Sequence, residues 1–201
     1  MNGVEAILLD RDSVINQPVL DPRTGTYESP LSASDVRLVP GAATALVALR
    51  EAGVRLIVAS NQPAAAKGTV PLHVLEAVHA RTVELLARDG VTLDRWEYCY
   101  HHPAGVLPEL TGSCDCRKPR PGLLLRALRA ADIAPERAWM VGDAFTDVAA
   151  GRAAGTRTAL IEHPLTAHRR RSDSGAVLEP DVSIPDLLEF VQTVLQSAGF
   201  A

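Results

Sequence analysis

Ala6-Ile7-Leu8-Leu9-Asp10-Arg11-Asp12 is an apolar run that stops abruptly at two carboxylates two positions apart. A short apolar run bounded by charge reads as a buried strand delivering a functional loop. The same punctuation recurs: residues 54–59 end in Ser60-Asn61-Gln62, and residues 138–141 end in Gly142-Asp143. Further strands are expected over 96–101 and 157–161. Helical spacing covers 42–52, which stops before Gly53, and then 72–89, 123–131, 146–154 and 185–197. Residues 16–41, rich in Pro, Ser, Thr, Gly and Asp, read as loop. Alternating strands and helices predict a three-layer α/β/α architecture with a mainly parallel sheet, whose ligands lie beyond the carboxyl ends of the strands. Asp10, Asp12, Ser60, Asn61 and Asp143 are therefore expected at one rim.

The 201 residues show no internal repeat or linker, which predicts one domain over 1–201. A content of 47% hydrophobic and 22% charged residues excludes a disordered chain. With a net charge of -4 and only 4% aromatics, nucleic acid is not an expected partner. No apolar run approaches the roughly 18 residues of a membrane span, and the start lacks the basic and apolar regions of a signal peptide. A soluble, cytoplasmic monomer without membrane contact is expected. The arginine-rich stretch 168–175 reads as a solvated loop rather than a phosphate site.

In extended chain, side chains two apart point the same way, so Asp10 and Asp12 crowd two anions together. A divalent cation relieves that crowding, and Mg²⁺ favours one or two carboxylates plus substrate phosphate oxygens. Asp143 offers a further ligand from a second strand end. The bland alternative is a pair of solvated loop aspartates.

Four stretches in order, Leu8-Leu9-Asp10-Arg11-Asp12-Ser13, Val58-Ala59-Ser60-Asn61, Arg117-Lys118-Pro119 and Val141-Gly142-Asp143 with Asp147, resemble the four motifs of the haloacid dehalogenase (HAD) superfamily of phosphohydrolases. The resemblance implies a Rossmann-like fold with a minimal cap. It implies that Asp10 attacks phosphorus and becomes a phosphoaspartate, with Asp12 as general acid and then base. Ser60, Asn61 and Lys118 would bind the phosphoryl group. Mg²⁺ would be held by Asp10, Asp143 and Asp12, the last through its backbone carbonyl. Asp147 is implied to stand behind these residues, holding Lys118 or a metal-bound water.

Cys99-x-His101 and Cys114-x-Cys116 are two tight pairs separated by residues 102–113. Three odd, clustered cysteines make no disulfide framework. With one imidazole they form a Cys₃His set, the closed shell of a structural Zn²⁺. His102 is the rival imidazole, and free buried thiols are the bland alternative. Such a metal would order residues 103–113 and place Arg117 and Lys118. The string from Cys99 to Pro121 resembles the D-glycero-D-manno-heptose 1,7-bisphosphate 7-phosphatases, whose gap between ligand pairs is longer than in the related histidinol-phosphate phosphatases. This resemblance implies a phosphorylated sugar as substrate and Arg117 as a substrate contact.

The sequence departs from that pattern at Ser13, where the family has Gly, and at Pro63 and Lys67, where it has Ser and Arg. Lys67 still offers a cation toward the substrate. Histidinol phosphate or another small phosphomonoester is the alternative substrate. A non-catalytic phosphosugar-binding protein is the alternative of another class.

Overall fold

The structure, a computed structural model, describes residues 3–170 and 178–197. Along β1 (Ala6–Leu9) every side chain is buried, because helices cover both faces. Ile7 and Leu9 enter one core layer and Ala6 and Leu8 the other, the two-residue period of a strand. Its neighbours are β4 (Arg55–Asn61) and β6 (Ala138–Gly142). Beyond β4 lies β5 (Arg95–Cys99), and beyond β6 lie β7 (Arg157–Ile161) and β8 (Val182–Ile184). All pairings in this six-stranded sheet are parallel.

On one face, α1 (Ala42–Glu51) and α5 (Leu187–Ser197) cover the first layer, and α2 (Leu72–Arg88) adds Leu86 to it. On the other, α3 (Gly122–Ala131) and α4 (Phe145–Ala154) contribute Leu123, Leu124, Leu128 and Ala150. Phe190 is fully buried edge-on to Trp139, with ring centroids 5.4 Å apart. Burying such a ring contributes about 2–3 kcal/mol. From β1 the chain moves out through β4 and β5, then returns across β1 to β6. The reversal leaves a crevice between the ends of β1 and β6, where Asp10 and Asp143 stand.

Four sequence expectations are corrected. The loop 16–41 contains an antiparallel hairpin, β2 (Val19–Asp21) and β3 (Thr26–Glu28), and a single 3₁₀ turn, Ala33–Asp35. Strands of three residues are too short to show a period. The strand expected over 96–101 ends at Cys99, freeing His101 from the sheet. The closing helix begins at Leu187, after a short β8 that carries no pattern of its own. Residues 171–175 of the arginine-rich stretch lie outside the described residues. Of its described part, Arg169 is not solvated: its side chain is 17% exposed and pairs with Glu28 of β3. No helix among the described residues is long and apolar enough to cross a membrane.

Candidate active site

Asp10 follows β1 directly, and its N–H continues the sheet by donating to the Val141 carbonyl at 2.8 Å. Lys118 approaches from the loop before α3. Its Nζ lies 3.2 Å from Asp10 Oδ1 and 2.6 Å from Asp147 Oδ1, and it donates to the Ala59 carbonyl at 2.7 Å. Lys118 is almost wholly buried, and a buried ammonium is tolerated only with such partners. Burial works to lower its pKa, but Asp10 and Asp147 outweigh burial and keep it charged. The Asn61 side chain fixes the Lys118 backbone from both sides, donating to its carbonyl at 3.0 Å and accepting from its N–H at 3.1 Å. Asn61 thus grips lysine rather than presenting its amide to the rim.

Asp143 is fully buried at the end of β6, and its carboxylate oxygens make no well-formed hydrogen bond, with only the Ser13 and Thr166 hydroxyls and the Arg169 guanidinium near them. Burial and the nearby Asp10 charge push its pKa up, as burial does for Asp147, which rises to about 7. Carboxylate oxygens of Asp10, Asp143 and Asp147 lie within 4.8 Å of one another. Hard oxygens crowded from three carboxylates are the donor set that suits Mg²⁺. Asp12 is different. Arg11, itself buried, grips its carboxylate with Nε at 3.0 Å and Nη2 at 3.1 Å, and Gln62 Nε2 donates to it at 2.8 Å. Burial opposes ionisation of Asp12, but Arg11 beside it prevails and holds its pKa below the usual carboxylate range. The Asp12 carboxylate is therefore matched by a protein cation, leaving its backbone carbonyl as the atom it could offer to a metal.

Ser60 is buried and accepts from Gln62 Nε2 at 3.0 Å. Ser13 adopts φ 68°, the left-handed region that favours glycine, and its buried hydroxyl has only a poorly formed contact, with the Asp143 carboxylate. Cys99, His101, Cys114 and Cys116 converge as a second group. Cys99 Sγ is 3.2 Å from Cys116 Sγ, 3.6 Å from Cys114 Sγ and 3.8 Å from His101 Nδ1, and Cys116 Sγ is 3.6 Å from that nitrogen. A tetrahedron with metal–sulfur arms of about 2.3 Å has edges of about 3.8 Å, so the set fits a closed Zn²⁺ shell. His102 turns away, its Nδ1 accepting from the Ala104 N–H at 3.1 Å. Arg117 leans back on this loop, donating to the His101 carbonyl at 3.3 Å.

A HAD-hydrolase-like family model matches residues 115–190. The D-glycero-beta-D-manno-heptose-1,7-bisphosphate 7-phosphatase of Pseudomonas putida is 33% identical over 192 residues, 96% of this chain and 100% of that protein. The protein of the same name from Pasteurella multocida is 32% identical over 188 residues, 92% of this chain and 97% of its own. The chain belongs to this family of HAD phosphatases. A solved relative is the D,D-heptose 1,7-bisphosphate phosphatase from B. bronchiseptica, complexed with magnesium and phosphate. It superimposes with a TM-score of 0.79 at 27% identity, covering 96% of this chain and 99% of that one. The chain is accordingly a phosphoric monoester hydrolase, of a superfamily that uses Mg²⁺.

Within this phosphatase, a cavity of about 450 Å³ shares the Gln62 side chain with the site, the residue that donates to Asp12. Gln62, Pro63 and Lys67 line one side, and Arg23, Glu28 and Ser29 of the hairpin line the other. Sequence reading placed Lys67 here but missed the opposite wall. It also missed Arg11 and Gln62 as the partners of Asp12, although Arg11 stands between the two motif aspartates. No local pattern tells a buried arginine from an exposed one. Tyr98 completes that support: the Arg11 guanidinium lies 5.7 Å from its ring centroid, and its hydroxyl is 3.0 Å from His79 Nδ1.

Proposed function

We propose that this phosphatase hydrolyses a sugar phosphate, D-glycero-D-manno-heptose 1,7-bisphosphate at C7, through a phosphoaspartate on Asp10. The observation that carries the reading is the placement of Asp10 at a sheet switch point, 3.2 Å from the Lys118 ammonium and within 4.8 Å of the buried Asp143 carboxylate. An Asp10 oxygen attacks phosphorus, and the bond from phosphorus to the sugar oxygen breaks. Asp12 gives that oxygen its proton. Water then attacks the phosphoaspartate, Asp12 takes a proton from it, and inorganic phosphate leaves with Asp10 restored. In the site as described, Arg11 and Gln62 hold Asp12 as a carboxylate, so the acid half of its role requires that grip to loosen. Lys118 and Ser60 would meet the charge on the transferring oxygens.

Asp10, Asp143 and the Asp12 carbonyl would hold Mg²⁺, with Asp147 close behind. When bound, the cation offsets the repulsion between Asp10 and the incoming phosphoryl oxygens. Cys99, His101, Cys114 and Cys116 would hold Zn²⁺ in a structural role. Arg117 and Lys67 are read as contacts to the part of the sugar beyond the transferring group. The second phosphate of a bisphosphate suits them, since guanidinium and ammonium both pair with such an anion. One domain over 1–201 accounts for both core layers, which share a single sheet.

A phosphate-release screen over heptose bisphosphates, histidinol phosphate and hexose phosphates tests the assignment, with Asp10→Asn as control. The heptose bisphosphate should give the highest kcat/KM, and Asp10→Asn should lose turnover while its circular dichroism stays unchanged. Faster release from histidinol phosphate would overturn the heptose substrate. Turnover retained in Asp10→Asn would overturn the covalent mechanism.

A further inference from the structure

Arg169 meets the acidic cluster at Asp143, whereas Lys118 meets it at Asp10 and Asp147. It closes the turn segment Pro164–Arg170 after β7, at the same carboxyl edge as Asp10 and Asp143. Its Nη1 lies 3.8 Å from Asp143 Oδ2. Its Nη2 lies 3.2 Å from Glu28 Oε2 and 3.4 Å from the Tyr27 carbonyl. One guanidinium therefore spans the candidate cation ligand and the hairpin that walls the neighbouring cavity. Arg169 also feels the charges of Asp12 and Asp10, which with Asp143 and Glu28 outweigh burial and keep it protonated.

We propose that Arg169 is a built-in counter-ion of the acidic cluster, which a divalent cation displaces from Asp143 and which Glu28 then retains. The inference rests on the metal reading above. Both Arg169 and the cation are drawn to the same Asp143 oxygens, and like charges this close repel. Binding of the cation weakens the Arg169–Asp143 contact, and the Arg169–Glu28 contact gives the guanidinium somewhere to go. Arg169 is thus a positioning residue. It sets how tightly the free enzyme takes up Mg²⁺, and it links that uptake to the β2–β3 hairpin.

The test is calorimetric titration of Mg²⁺ into the intact protein dialysed free of that ion, with no substrate present. Arg169→Gln should tighten the Mg²⁺ dissociation constant about three- to tenfold, the scale of one screened charge a few ångströms away. Glu28→Gln removes the hairpin's charge and leaves the guanidinium only the neutral Tyr27 carbonyl there, so it should lean further on Asp143 and weaken Mg²⁺ binding by a comparable factor. In the double variant the effect of Glu28→Gln should vanish. Thermal midpoints are followed in parallel, because a purely structural clamp would lower them and leave the dissociation constant unmoved. An unchanged or weaker constant in Arg169→Gln overturns the counter-ion role while leaving the metal reading intact. A Glu28→Gln effect that persists without Arg169 overturns the link to the hairpin. Failure of the wild type to bind Mg²⁺ overturns the metal reading and this inference together.

Discussion

Asp147 Oδ1 stands 2.6 Å from Lys118 Nζ because Gly142, at the end of β6, has no side chain to keep it away. A Cβ at Gly142 would lie 2.2 Å from Asp147 Oδ2, far inside contact distance. Asp147 also accepts from the Ala144 N–H at 3.0 Å, which caps the start of α4. One carboxylate thus starts a helix and steadies the lysine that faces Asp10.

Gly142→Ala must move Asp147 and, through it, Lys118. We expect kcat to fall at least about tenfold, since a misplaced charge at the reacting centre is costly. Asp147→Asn keeps the shape but removes the charge, and should lower kcat with a smaller loss of stability. Steady-state kinetics beside thermal melts check both. Normal kcat in Gly142→Ala would mean that Lys118 is held well enough by Asn61 and Ala59.

Ser13→Gly should stabilise the protein by about 0.5–1 kcal/mol, because φ 68° is strained for serine and free for glycine. The buried hydroxyl offers only a poorly formed contact with Asp143 to set against that strain. Urea denaturation at neutral pH measures the difference. A loss of stability on this substitution would show that the hydroxyl is satisfied after all.

Elemental analysis of protein purified without added zinc should find one Zn²⁺ per chain. Cys116→Ser should release it, make the 99–118 segment sensitive to protease and lower kcat by loosening Lys118, since this loop carries Arg117 and Lys118 immediately after its last cysteine. Burial and the neighbouring thiols push the Cys99 pKa up, while hydrogen bonds from Cys116 and Cys99 bring that of Cys114 down against its burial, so the thiols of the empty cluster are not equivalent toward a thiol reagent. Zinc-free protein with normal activity would remove the metal from the account.

His79 contributes one part of the pH dependence. Burial, then the Arg11 charge, lower its pKa below the ordinary imidazole value of 6.5. The unfolded chain therefore binds the proton first, and the stability contributed by neutral His79 is present above about pH 6.5 and lost as pH falls through the lower folded value. Between about pH 7.5 and pH 5.5 the wild-type denaturation midpoint should drop by more than that of His79→Gln, which keeps a polar partner for the Tyr98 hydroxyl without titrating. Equal drops in the two proteins would show that His79 is protonated freely in the fold.

By itself the sequence determined the sheet-and-helix alternation and the placing of Asp10, Asp12, Ser60, Asn61 and Asp143 at strand ends along one rim. Each is a local signal: an apolar run, a period and a polar stop at its end. Lys118, which follows no strand, entered only through the motif resemblance. The Cys₃His set was equally legible, because two x-one pairs place their ligands within one short segment. Only the tertiary structure decided which groups answer the charges. That Arg11 grips Asp12 while Lys118 serves Asp10 and Asp147 depends on how the Gln62 and Lys118 loops dock. The reach of Arg169 to Glu28, 141 residues earlier, and to Asp143 depends on a hairpin of two three-residue strands that carries no periodic mark. Periodicity reports which side of an element faces the core. The pairing of charges between distant elements is set by their packing, and it becomes visible only once the chain is folded.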